Sequence, residues 1–517
     1  MVALLGFAAV LVAASGVGLV AGRLRPRPET PASVRSPLAA WALGGGENGT
    51  LATWFLLGGS IFTAYTFVAV PALVYGVGGL GFFAVPYTIV VFQLAYLVLP
   101  ALWRRAAVHG WLTPADVVRD RFGSPALALA VALTGLLATM PYIALQLLGL
   151  GALLSALGVA GGGVTSDLAL TATFAVLAVG TYRHGLRTPT VVAVVKGVLI
   201  FAAAGVLAVA VLHRARGARP VFEGAAAALA GTPGAGLVLP PQLASSYVTL
   251  ALGSAVALLL YPHVLLPSFA ARDAGVLRRN AVALLAWTAL LGLLALGGLA
   301  ALSSGVTVPP GHAELAVPRL VREVLPDLPA GLVLGAVGVG ALVPAAVMSV
   351  AAASGFASNV YLEYVNPRAL PEQVRSVART VSVLVKLGAV AFVLGLRTQD
   401  AISLQLLGGV WILQTLPAVL LGLAWRWVHR YALLAGLVTG VVAGTWLCAA
   451  QGFVAVTAVT VGGWSLGVYA GIVALGLNVA VAVLLTPLLN RWGISRGTDS
   501  TWSSARGTLR SEWEASA

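Results

Sequence analysis

The chain alternates long apolar stretches with short polar ones. Thirteen apolar runs, starting near positions 2, 51, 80, 125, 166, 189, 243, 279, 329, 373, 401, 429 and 464, reach the roughly 20 residues that a helix needs to cross a bilayer. The pattern predicts an all-α polytopic membrane protein of about 13 transmembrane helices, with residues 1–490 as one transmembrane unit. Two runs are interrupted. Leu51 to Tyr75 carries Gly58-Gly59-Ser60, then Thr63, Tyr65 and Thr66, with Pro71 beyond. Leu243 to Ser268 carries Gly253, then Tyr261-Pro262-His263 and Pro267. A helix in lipid must satisfy its backbone internally, so a weakened polar middle belongs where it faces protein or a water-filled cavity. Two such interruptions in corresponding halves of a polytopic chain point to a midplane solute site.

Composition agrees: 59% of the 517 residues are hydrophobic, 9% are charged, and the mean hydropathy is +0.97. The net charge of +14 suggests nucleic acid only until the arginines are placed. Twenty-two fall in the odd-numbered connections and the C-terminal tail, and six in the even-numbered ones. That asymmetry predicts an N-terminus outside and a C-terminus in the cytoplasm of a plasma-membrane protein. The first run lacks a basic segment before it and is followed by Arg23, Arg25 and Arg27, so it reads as a retained span. Residues 491–517 are polar and rich in Ser and Arg, the composition of a disordered tail.

The two lysines, Lys196 and Lys386, both fall inside predicted spans. A cation at the centre of a span costs roughly 2.5–3.5 kcal/mol on insertion scales and normally faces the protein interior. Lys196 lies seven residues beyond Pro189, about 10 Å into the bilayer at 1.5 Å per residue. A lysine can also merely snorkel to the interface. Other chemistries lack their signatures. There is no G-x-x-x-x-G-K-[ST] loop and no G-x-S-x-G elbow. The six histidines show no metal-ligand spacing, and Cys448 is single. No enzyme and no organic cofactor is expected. Gly331 and Gly335 form a G-x-x-x-G pair, read as close helix packing.

The run Trp54-Phe-Leu-Leu-Gly-Gly-Ser-Ile-Phe-Thr-Ala-Tyr-Thr-Phe-Val-Ala-Val-Pro, preceded by Leu43-Gly44-Gly45, resembles the second transmembrane helix of the sodium:solute symporter family. Thr113-Pro114-Ala115-Asp116 with Arg121-Phe122-Gly123 is similar to the family's pattern, as are Tyr261-Pro262-His263 with Ala270-Ala271-Arg272 and Ala345-Ala346-Val347-Met348-Ser349. Within the family, the Trp54 to Tyr87 segment and Met140-Pro-Tyr-Ile-Ala-Leu-Gln look most similar to bacterial monocarboxylate permeases, which carry lactate, pyruvate, acetate and propionate. The resemblance implies a LeuT-type core of two inverted five-helix repeats, about 51–213 and 243–423. It implies a symporter that imports a small monocarboxylate with sodium or a proton. A symporter for an amino acid such as proline, or for a sugar, is the alternative.

The resemblance also implies sites. Where the family binds sodium, the ion lies between the second and ninth spans, on positions matching the carbonyls of Gly59, Phe62 and Ala346 and the hydroxyl of Ser349. Two departures stand against it: a frequent second hydroxyl is Val350 here, and an Asp of the sixth span aligns with Ala193. One turn from Ala193 the chain has Lys196. Its ammonium would either substitute for the ion, charged when it mimics the cation and neutral after releasing its proton, or pair with the substrate's carboxylate. Thr63, Tyr65 and Thr66 on the broken span are expected to line the substrate cavity, with Tyr142 and Gln146 of the fourth span and Gln405 of the eleventh. Each glutamine could equally hold the bundle by an interhelical hydrogen bond.

Overall fold

A computed structural model describes residues 1–24, 36–159, 182–395, 401–462 and 464–501. Among these, nine helices are long and apolar enough to cross a membrane, and a bent pair, Thr50–Ile61 with Tyr65–Val77, makes a tenth span. The first expected span is α1, Val2–Leu24, and the tenth is a helix over Pro371–Gly395. The fifth, expected near 166, lies outside the described residues.

The second span is α2 (Thr50–Ile61), a wide turn over Tyr65–Ala69, and α3 (Val70–Val77). Then come α4 (Ala84–His109), α5 (Pro114–Phe122), α6 (Pro125–Ala156), α7 (Arg187–Ala215) and α8 (Ala218–Leu229). The seventh span is divided into α9 (Ala244–Leu260) and α10 (Pro262–Phe269). It is followed by α11 (Ala274–Ala283), α12 (Leu285–Ser303) and α13 (Asp327–Phe356). Further along come α14 (Pro371–Gly395), α15 (Ala401–Leu413), α16 (Arg430–Ala449) and α17 (Ala470–Arg491).

Short helices between spans are fixed by capping. In α5 the Thr113 side chain accepts from Asp116 N–H, the Asp116 carboxylate accepts from Thr113 N–H, and Pro114 sits in the first turn. Gly123 ends the helix at φ 53°. The Thr-Pro-Ala-Asp and Arg-Phe-Gly motifs are thus the two ends of one helix.

The centre of the bundle is α13, whose residues from Ala330 to Ser354 are almost all buried. It packs along α1 through Gly331 and Gly335: a Cβ at Gly331 would stand 2.1 Å from the Ala3 carbonyl oxygen, and one at Gly335 2.8 Å from Val10 Cβ. The G-x-x-x-G pair is a close-approach surface, as its spacing suggested.

Two elements escape the hydropathy pattern. The expected thirteenth span begins at 464, but the helix begins at Ala470, and Val456–Val461 and Trp464–Tyr469 form an antiparallel hairpin with Val456 opposite Tyr469. The chain beyond α17 also returns to the bundle. Asp499 pairs with Arg121 at 3.1 Å, the backbone and side chain of Ser500 both donate to the Asp120 carbonyl, and Arg121 Nε reaches the Gly422 carbonyl at 2.9 Å.

Gly331→Leu should wedge α1 from α13 and destabilise the protein by about 1–3 kcal/mol, the usual penalty of overpacking. Thermal unfolding of the purified variant in detergent checks this; an unchanged midpoint would show that the contact is not tight.

Candidate functional site

The second span breaks where its sequence weakens it. Gly58 and Gly59 lower helix propensity near the end of α2, and Phe62 is extended at φ −88°, ψ 98°. The Thr63 hydroxyl accepts from Tyr65 N–H at 3.1 Å and starts the wide turn, and the two halves meet at 57°. Such a break strands backbone groups, and three of them, Ala64 N–H and the Gly59 and Phe62 carbonyls, are met from neighbouring helices. Gln146 of α6 accepts from Ala64 N–H at 2.9 Å while its amide nitrogen donates to the Tyr142 carbonyl at 3.0 Å. Gln146 therefore spends both ends of its amide on backbone and holds the break.

The freed carbonyls are met by a cation. Lys196 Nζ donates to the Gly59 carbonyl at 2.7 Å and to the Phe62 carbonyl at 2.6 Å, and lies 5.5 Å from the centre of the Phe67 ring. The lysine is fully buried, and among the described residues no carboxylate forms an ion pair with it. It does not snorkel. Ala193, one turn earlier on α7, makes the approach possible: a Cβ at Gly59 would already be 3.0 Å from Ala193 Cβ and 3.5 Å from Val343.

The other two positions matched to a sodium site, Ala346 and Ser349, are buried on α13, and the Ser349 hydroxyl donates to the Ala346 carbonyl at 2.8 Å. Val350 is buried among apolar neighbours. Lys386 is buried on α14 and donates to the Ser382 carbonyl at 3.0 Å.

Thr63, Tyr65 and Thr66 are all buried, and the Tyr65 hydroxyl has no partner among the described residues. The same holds for Gln405 Oε1 on α15, and the Tyr142 hydroxyl has only the Thr63 side chain beside it. Two further residues appeared in the sequence only as part of an interrupted run and a family-like motif, not as site residues. Tyr261, extended at φ −62°, ψ 134° because it precedes Pro262, and His263, in the first turn of α10, join Tyr142 in one ring cluster with centroids 5.0–5.3 Å apart. The proline break was the signal for them. Trp287 backs the site, stacked on Phe62 at 5.4 Å and lying where a Gly58 side chain would be.

A helical bundle whose second and seventh spans both break, with carbonyls freed in the second turned toward a buried lysine, defines a secondary transporter of the LeuT type. The sodium:solute symporter family matches residues 41–440, and the chain belongs to it. It is 44% identical over 473 residues to a monocarboxylate transport permease protein of Rhizobium johnstonii, covering 92% of this chain and 94% of that one. It is 29% identical to the uncharacterized symporter YodF of Bacillus subtilis, covering 94% of each. A solved Na+-coupled sialic acid symporter superposes with a TM-score of 0.73 at 16% identity, covering 94% of this chain and 98% of that one, which shows the shared fold. The protein is a multi-pass membrane transporter of the cation-coupled symporter class, and not an enzyme.

Gln146→Leu keeps the volume but leaves Ala64 N–H buried and unpaired, a penalty of about 1–3 kcal/mol concentrated at the break. Solute uptake should fall at least tenfold with normal amounts of protein in the membrane, as measured by surface labelling alongside uptake. Wild-type uptake would show that the break needs no such support.

Proposed function

We propose that this chain imports a small monocarboxylate across the plasma membrane together with a proton, with Lys196 as the resident cation at the place where the family resemblance sets sodium. The N-terminus would lie outside and the C-terminus in the cytoplasm, as the arginine distribution supports. The observation that carries the reading is the pair of bonds from Lys196 Nζ to the Gly59 and Phe62 carbonyls. A sodium ion bridging the broken second span would use these same two oxygens, and an ammonium with three N–H donors can meet them without an ion from solution.

In this reading the protonated lysine ties the two halves of the broken span together while the site faces outward. Loss of the proton removes the charge that holds the carbonyls, loosens the break and favours the inward-facing arrangement. One proton and one monoanion cross together, so the cycle carries no net charge. The two inverted repeats, about 51–213 and 243–423, would rock about this point. The monocarboxylate is supported by the permease relative and by the absence, among the described residues, of an acid beside Lys196 to receive the ammonium of an amino acid.

The test is uptake of labelled lactate, pyruvate and proline into proteoliposomes under separately imposed proton and sodium gradients. Accumulation of lactate or pyruvate should follow the proton gradient and ignore sodium. Lys196→Met should abolish gradient-driven accumulation while leaving exchange of substrate between the two sides measurable. Sodium-driven accumulation, or proton-driven accumulation surviving in Lys196→Met, would overturn the assignment.

A further inference from the structure

We infer that the substrate's carboxylate is received at the break of the seventh span, by the imidazole of His263 together with the hydroxyls of Tyr142 and Tyr261, and that His263 is the residue that selects an acid over its neutral analogue. The inference rests on the monocarboxylate reading above. His263 is fully buried, and neither ring nitrogen has a partner among the described residues. The Tyr261 hydroxyl is buried and without a partner in the same way, and the Tyr142 hydroxyl, also buried, has only the Thr63 side chain of the second span's break beside it. The three rings form one cluster, with His263 5.2 Å from Tyr142 and 5.0 Å from Tyr261, and Tyr142 5.3 Å from Tyr261.

Buried polar groups are almost always hydrogen-bonded, so several unmet ones in contact with each other mark a place built for something else. Their chemistry narrows what that is. Phenol hydroxyls and an imidazole N–H are donors, and among the described residues no carboxylate lies in the cluster, so it suits an acceptor-rich anion rather than an ammonium. A carboxylate, with two oxygens and about four lone pairs, can take all three donors. The backbone adds to this. His263 sits in the first turn of α10, which starts at Pro262 after the extended Tyr261, so the positive end of that helix opens on the same point.

Neighbouring helices set the cluster beside the second break. A Cβ at Gly135 of α6 would meet Pro262 Cγ at 3.2 Å, and one at Gly408 of α15 would meet the Tyr261 hydroxyl at 2.6 Å. Gln405, whose Oε1 also lacks a partner, is one turn from Gly408. Gln146, which holds the break at Ala64, is one turn from Tyr142 on α6. The anion would thus lie between the two breaks, against one set of donors, with the cationic Lys196 on the other side of the second span's break.

The experiment compares wild type with His263→Phe, which keeps a ring and removes both nitrogens, in proteoliposomes. It reads the apparent KM for pyruvate and lactate, the maximal rate, and competition by the neutral amides pyruvamide and lactamide. In wild type the acids should be taken up and the amides should compete poorly. His263→Phe should raise the KM for both acids on the order of ten- to a hundredfold, the loss of one hydrogen bond to a charged group, with a smaller effect on maximal rate. Its preference for acid over amide should collapse. His263→Gln, which keeps a donor, should recover part of the preference. Should His263→Phe fail to reach the membrane, Tyr142→Phe, which deletes one hydroxyl, and His263→Gln read the same preference. An unchanged acid preference in the inserted variants, or an equal loss for acid and amide, would overturn the role of His263. Absence of any monocarboxylate uptake by wild type would instead overturn the proposed substrate class.

Discussion

A broken helix inside a bilayer has no water to complete its hydrogen bonds, and every other feature of this site follows from how that deficit is met. Around Phe62 the chain loses the regular pairing of one helical turn. Ala64 N–H is satisfied by the Gln146 amide of α6, and the Gly59 and Phe62 carbonyls by Lys196 of α7. The donors and acceptors are thus drawn from two different helices, so the break is a junction between α2, α6 and α7. Small residues let those helices come close. Gly59 faces Ala193 of α7, where a Cβ would be tight at 3.0 Å, and Gly58 faces the Trp287 ring of α12, where a Cβ would clash at 2.3 Å.

The two breaks are alike in backbone and unlike in cause. Phe62 and Tyr261 are both extended residues at the point where the first helical piece ends. In the second span the weakness comes from adjacent glycines and from a threonine that caps the following turn. In the seventh, Pro262 forces the preceding residue out of the helical region. The first break exposes carbonyls and has drawn a cation. The second begins a new helix, exposes the positive end of its dipole and is surrounded by donors.

Much of this could be read from residue order because the bilayer leaves few alternatives. Gly58-Gly59 and Pro262 stand beside polar residues inside apolar runs and mark the two breaks, whereas Pro141 and Pro344 lie inside unbroken helices. The depth of Lys196 allows it either to face inward or to snorkel. The partner of each polar side chain is a different matter. Gln146 and Gln405 look the same in an apolar run, yet one has both ends of its amide bonded to backbone and the other has an unmet oxygen. His263 stands in the Tyr261-Pro262-His263 motif, but which groups it faces comes from two tyrosines, one adjacent but for Pro262 and one on α6. The hairpin at Val456–Tyr469 was hidden for another reason: its second strand, Trp464–Tyr469, runs straight into α17 and is apolar enough to pass for the start of that span.

The return of the chain beyond α17 sets where the folded unit can be cut or extended. Arg121 is only 7% exposed, and its charge is met by Asp499 and the Gly422 carbonyl. A fluorescent or affinity module joined directly after Arg491 would remove Asp499 and leave a largely buried guanidinium with a single backbone acceptor, whereas one joined beyond Thr501 keeps the clasp on α5 whole. The practical C-terminal border of the transporter for fusion and truncation work therefore lies about ten residues past its last helix.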